Sequence, residues 1–269
     1  MSRDPQAGPQ PAVLTELRDH VLLVTINRPA AMNAVNRDVS RGIGAALERA
    51  DTDEGVRAVV LTGAGDKAFS AGADLKAVAR GEPLTEPGRE QWGFAGYVRH
   101  PISKPTIAAV NGLALGGGAE IVLASDLVVA AERARFGLPE VTRGLVAAAG
   151  GVIRLPAQVP RKVAMHMILT GEPIGALAAA QWGLANTVVP DDAVLGAALD
   201  LAARISRNAP LAVQASKRVA GGVRGGAVPA EEELWQLSTT EVEAVKRSAD
   251  AREGPRAFAE KREPQWQGR

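Results

Sequence analysis

Three consecutive glycines, Gly116, Gly117 and Gly118, stand just before Glu120 in the stretch Val110–Glu140. Glycine lets the backbone take positive φ and lets another chain or a ligand come close. The apolar run Ile121–Ala131, interrupted by one charge at Asp126, follows directly. The pattern predicts a tight turn feeding a buried helix. The first amides of a helix have no intrahelical partner, and the helix dipole is positive there. The stretch should therefore present free N–H groups to something negative. Glu120 falls in the first helical turn, and a second carboxylate, Glu140, follows Pro139.

The rest of the chain narrows the setting. Its 269 residues allow one large domain, or one domain with an appendage, and a hydrophobic fraction of 46% is ample for a core. A net charge of +1 gives no reason to expect a nucleic-acid or membrane partner. The absence of cysteine excludes disulfides, thiol catalysis and cysteine metal sites, and fits a reducing, cytoplasmic setting. Residues 1–11 are polar and proline-rich, read as a loose tail, and lack the apolar segment of a signal peptide. No run reaches the length of a membrane span.

Periodicity predicts an α/β protein. Val13–Leu17 and Val21–Ile26 read as a hairpin, and Asn36–Ala50 carries apolar residues at helical spacing. Arg57–Thr62, Thr106–Val110 and Leu127–Ala130 read as buried parallel strands. Arg161–Thr170 and Ile174–Trp182 look helical, and Asn186–Val189 reads as a last short strand. Asp191–Arg207, Pro210–Val219, Glu231–Arg247 and Arg252–Lys261 follow as consecutive helices. A core over residues 12–200 and a helical region over 201–269 are the expected divisions.

Gly63, Gly65 and Ala68 after the Arg57–Thr62 strand partly match a dinucleotide fingerprint. That fingerprint needs its helix to begin at once, and Phe69-Ser70-Ala71-Gly72 interrupts it. A strand-ending turn is the better reading. His20, His100 and His166 are scattered without ligand spacing, so no metal site is expected. Ser70 has no adjacent base to make it a nucleophile. Asp126 reads as structural, and Asp74 as a cap for a helix beginning near Leu75.

Taken in order, Ala68–Lys76, Lys104–Gly112, Gly116–Glu120, Ser125-Asp126 and Phe136–Glu140 resemble the enoyl-CoA hydratase/isomerase (crotonase) superfamily. The likeness runs from about Val13 to the C-terminal Gly254–Arg262. It implies a spiral of ββα units followed by a helical region that assembles trimers or pairs of trimers. It also implies an oxyanion hole for an acyl-CoA thioester, made from the backbone amides of Ala73 and Gly117. One such donor is typically worth ~2.7–4 kcal/mol of transition-state stabilisation. Ala71, Ala73, Asp74, Leu75, Lys76 and Gly117 match the segments that line the CoA site. Phe258 and Lys261 match positions that reach the adenine and phosphates.

The family's two hydratase glutamates fall on Glu120 and Glu140. Having both implies water addition across the double bond of a 2-enoyl-CoA. Glu120 would act as base on the water, and Glu140 would deliver a proton to the α-carbon. No metal or redox cofactor is implied, since coenzyme A is part of the substrate. The alternatives are an enoyl-CoA isomerase of the same fold and a non-catalytic acyl-CoA-binding oligomer. Trp92, Phe94 and Tyr97 lie in the segment that walls the family's acyl pocket, and either touch the acyl chain or pack the loop on the core. Val146–Gly151 departs from the family's usual Pro-Gly-x-Gly-Gly: alanines stand for the proline and one glycine. Gly175 replaces the usual Ser or Thr cap of a late helix.

Overall fold

A computed structural model describes residues 10–269; residues 1–9, most of the expected tail, lie outside the described residues. The chain opens with β1 (Val13–Arg18) and β2 (Val21–Ile26), the expected antiparallel hairpin. Helix α1 (Arg37–Thr52) begins where the Asn36 side chain accepts a hydrogen bond from the Val39 amide. Its buried face includes Val39, Ile43, Ala46, Leu47 and Ala50, the residues whose spacing predicts the helix.

A repeated unit follows. β3 (Ala58–Gly63), β4 (Ala68–Ser70) and α2 (Leu75–Ala79) form its first turn. β5 (Thr106–Val110), β6 (Leu113–Leu115) and α3 (Gly117–Ala124) form the second. β7 (Leu127–Ala131), β8 (Arg135–Gly137), a 3₁₀ segment (Pro139–Arg143) and α4 (Gly151–Gln158) form the third. Helix α5 (Arg161–Thr170), β9 (Ile174–Gly175), α6 (Ala176–Gln181) and β10 (Thr187–Val189) close the core.

The first strand of each unit enters a six-stranded sheet of order β1-β2-β3-β5-β7-β10, parallel beyond the opening hairpin. The second strand enters a smaller sheet, β4-β6-β8-β9. The result is the expected spiral of ββα units. Both faces of the large sheet are covered, as parallel strands require. Leu22, Val24, Val59, Leu61 and Ala108 face the main core, where Phe69, Ile121 and Phe136 also lie. The alternate residues Val21, Leu23, Val60, Ile107 and Val129 meet helix α7 (Val194–Ser206) through Val194, Ala198 and Ala202. Helix α7 thus runs past residue 200 while still covering the sheet.

Three helices complete the chain: α8 (Pro210–Ala220), α9 (Glu232–Arg247) and α10 (Ala249–Ala259). Helix α8 buries none of its residues, and Leu211 and Val219 are 80% and 82% exposed. The carboxylate of Asp126 accepts bonds from the amide and hydroxyl of Thr106 and pairs with Lys217 of α8 at 2.6 Å, the structural role expected of it. Gly175 caps α6 without a side-chain bond, and Ile174 and Gly175 pair with β8 instead of continuing the helix. Among the described residues, no helix is long and apolar enough to cross a membrane.

Candidate active site

Each member of the glycine triplet answers to a different neighbour. Gly116 has φ +55, and a Cβ there would stand 3.0 Å from Oε1 of Glu140. A side chain on Gly117 would run into the Phe94 ring, and one on Gly118 into the carbonyl of Ser70. The turn therefore brings β4, the Phe94 segment and Glu140 onto the start of α3. Glycine is needed there for close approach as much as for φ.

The second candidate oxyanion segment comes in from β4. Val35 and Ala73 form a parallel bridge in which Val35 N–H donates to Gly72 and Asp74 N–H donates to Val35. In that pattern the amide of the bridging residue, Ala73, points away from its partner. Neither Ala73 nor Gly117 donates a backbone bond among the described residues. A Cβ on Gly72 would lie 2.8 Å from the Gly117 nitrogen, so the two segments touch. Asn33 and Ser70 hold this corner. Asn33 Nδ2 donates to the carbonyls of Ala64 and Ala68, Ser70 Oγ donates to the Asn33 carbonyl, and the Gly72 amide donates to Ser70 Oγ.

Asp74 caps α2 by accepting bonds from the amides of Lys76 and Ala77, and it pairs with Arg28 at 2.9 Å. Its carboxylate is fully engaged in shaping the loop. Leu75 and Lys76 stand exposed on the first turn of α2, and Ala71 is tied by its amide to Met32.

Glu120, only 3% exposed, sits in the first turn of α3. Its Oε1 accepts a 2.9 Å bond from the amide of Gly151, the first residue of α4. Gly150 before it has φ +105. The departure at Val146–Gly151 thus keeps the two glycines whose backbone the site uses. Glu140 stands in the Pro139–Arg143 segment, and its buried Oε2 has no partner among the described residues. Burial is the main cause that raises both carboxyls, Glu120 to about 8 and Glu140 to about 7. The charge of Glu140 pushes Glu120 up further, while the amides of Gly151 and Ala149 and the charge of Arg154 oppose the rise. Two carboxyls that interact in this way titrate as a pair, and the rise of both keeps a proton on the pair near neutral pH.

The three aromatic residues part company. Phe94 lies against Gly117, at the candidate oxyanion amide. Trp92 fills the space over Gly44 of α1 and stacks on His100 at 5.0 Å. Tyr97 is buried, with its hydroxyl 2.9 Å from Ser125 Oγ. Ala95, with φ +60, turns the chain between them. Phe258 lies half-exposed with the Arg143 guanidinium 4.2 Å over its ring, which sets α10 against the segment bearing Glu140, and Lys261 follows the end of α10. Periodicity did not foresee Gly151 as the partner of Glu120. Its only signal was the glycine pair ahead of an apolar helix.

Two amides without a backbone partner among the described residues and a pair of raised carboxyls on a ββα spiral define the class: an α/β protein with free N–H donors beside acid–base groups. The family model for enoyl-CoA hydratase/isomerase matches residues 16–269. The chain belongs to that family, the crotonase superfamily. It is 41% identical over 258 residues to a carnitinyl-CoA dehydratase of Proteus mirabilis, covering 94% of this chain and 97% of the relative. A solved carnitinyl-CoA hydratase from Mycobacterium avium is 59% identical with a TM-score of 0.96, covering 97% of this chain and 100% of that one. An enoyl-CoA hydratase from Mycobacterium tuberculosis is 46% identical with a TM-score of 0.76, over the same shares of the two chains.

Proposed function

We propose that the protein is a hydro-lyase that adds water to, or removes it from, the acyl group of a CoA thioester. The observation that carries this is the pair of raised carboxyls, the buried Glu120 and the half-buried Glu140 with its buried Oε2, beside the amides of Ala73 and Gly117, which have no backbone partner among the described residues. The amides hold the thioester oxygen as negative charge develops on it. In hydration the reactive form carries the proton on Glu140 and leaves Glu120 ionised, one proton shift from the resting order in which Glu120 is the more basic of the two. Glu140 passes its proton to the α-carbon while Glu120 takes one from the water that attacks the β-carbon. In dehydration the pair works in reverse: Glu140 takes the α-proton and Glu120 protonates the departing hydroxyl. One proton on the pair serves both directions, and the thioester supplies the acidity.

The seating of Glu120 on α4 favours water chemistry over the isomerase reading, which needs only one carboxylate to shuttle a proton. The names of the relatives favour a carnitinyl thioester, whose acyl group carries a permanent cation, over a plain 2-enoyl chain. The assay is ultraviolet-monitored loss or gain of the conjugated enoyl thioester. It is run with short, long and bulky 2-enoyl-CoAs, with carnitinyl-CoA and with a 3-enoyl-CoA. Turnover of the 3-enoyl substrate alone would establish the isomerase instead. The same reading assembles the chain as a trimer or a pair of trimers, supported by the exposed apolar residues of α8. Sedimentation as a monomer would remove that part.

A further inference from the structure

Helix α4 is eight residues long, and its first amide holds Glu120. A helix this short takes its position from tertiary contacts rather than from its own stability. Those contacts converge on Arg154, one turn from Gly151. Arg154 Nε and Nη2 donate to the two carboxylate oxygens of Glu231 at 2.9 and 2.8 Å, and Nη1 donates to the Val98 carbonyl at 2.7 Å. The indole nitrogen of Trp235 donates to the same Glu231 at 3.1 Å. The Arg154 guanidinium lies 5.6 Å from the centre of the Trp235 ring. That ring also occupies the space beside Gly150, where a Cβ would stand 3.1 Å from it. Glu231 stands just before α9 and Trp235 in its first turn, so the C-terminal region grips both the entry residue and the first turn of α4.

A pair this buried, with side chains 12% and 21% exposed, is a poor device for stability alone. Removing two charges from water offsets most of their attraction, and apolar residues of similar size often do as well. What a two-pronged guanidinium with a partner at each of its three nitrogens supplies is a fixed direction.

We propose that Arg154, clamped by Glu231 and Trp235, is a positioning residue that sets the carboxylate of Glu120 through the N-terminus of α4. This rests on Glu120 being catalytic, as the proposed function holds. The charged groups facing Glu120 are Glu140 from the 3₁₀ segment and Arg154 from α4, together with the amides of Ala149 and Gly151. Glu231 and Arg99 in turn face the cluster around Arg154.

The test compares Glu231→Gln, Arg154→Lys and Arg154→Met on a short 2-enoyl-CoA, with folding checked by circular dichroism and melting. Small displacements of catalytic groups are costly, so kcat should fall about tenfold or more while KM stays within about twofold. Arg154→Met should also move the acid limb of the pH–rate profile upward, because a charge favouring ionised Glu120 is gone. Arg154→Lys should not move it. In a Glu120→Gln background, Glu231→Gln should add little to the loss. Unchanged kcat in Glu231→Gln and Arg154→Lys, or a full multiplication of losses in the double variant, would overturn the proposal. If Arg154→Met does not fold, Glu231→Gln and Arg154→Lys, which both keep a cation at position 154, decide. Wild-type activity in Glu120→Gln would instead overturn the reading of the site itself, which separates the two failures.

Discussion

The amide of Gly151 donates a 2.9 Å hydrogen bond to Oε1 of Glu120, joining two helices that the chain separates by about thirty residues. This bond lets a buried carboxyl keep a defined direction without a neighbouring cation in direct contact. It also leaves the carboxyl raised, because one or two amides do not offset its burial.

The two carboxyls should be separately essential. Glu120→Gln and Glu140→Gln keep shape and remove proton transfer, so each should lower kcat by ~10²–10⁴-fold with little change in KM. Steady-state hydration kinetics check this. Exchange of the α-proton with deuterated solvent should survive better in Glu120→Gln than in Glu140→Gln, since Glu140 serves the α-carbon.

Stability should fall as pH rises from about 4.5 to about 8. In that window the unfolded chain has released the protons of both carboxyls, while the folded protein still holds at least one. The folded state binds more protons there, so ΔG of unfolding decreases with pH, by at most ~1.4 kcal/mol per unit for each group. Chemical denaturation at pH 5 and pH 8 measures the slope. The Glu120→Gln/Glu140→Gln double variant should show a clearly smaller decline than wild type.

Gly116→Ala should disable the site while leaving most of the fold. Positive φ costs an alanine roughly 1–2 kcal/mol, and its methyl would stand 3.0 Å from Glu140 Oε1. A fall of a few degrees in melting temperature with a much larger fractional loss of kcat is the expected outcome. A loss confined to stability would show that Glu140 has room to move.

The aromatic trio should divide by position. Phe94→Ala opens space beside Gly117 and should change the preference between short and bulky acyl groups. Trp92→Ala removes a ring packed on Gly44 and should cost ~3–5 kcal/mol of stability with the preference unchanged. Competition between two acyl-CoAs, alongside urea melts, distinguishes them.

Asp74→Ala should lower stability by roughly 1–2 kcal/mol through the lost cap of α2 and leave Arg28 without its carboxylate. Because Asp74 follows Ala73, kcat should fall as well. Asp74→Asn, which can still cap, should recover part of the stability.

Local pattern was enough for much of the fold. The continuous apolar run Val21–Ile26 and the helical spacing of Asn36–Ala50 both reappear as elements, because the strand is covered on both faces and the helix buries one, and their residues record that burial. Helices from Arg161 onward were also legible, within a few residues at their ends. Ile174-Gly175 was not, since its pairing partner Phe136 is far along the chain.

The glycine triplet was legible because small residues in a row before an apolar helix demand close approach, whereas Glu120 and Glu140 were singled out by the ordered motifs of the family resemblance. Sequence alone therefore determined which residues had to be small and which two acids the family pattern brings together. Only the tertiary structure decided that Gly151 meets Glu120, that Glu231 and Trp235 clamp Arg154, and that Phe94 rather than Trp92 lies against Gly117. Those contacts join segments far apart in the chain, and periodicity reports only what happens within a few turns of a residue.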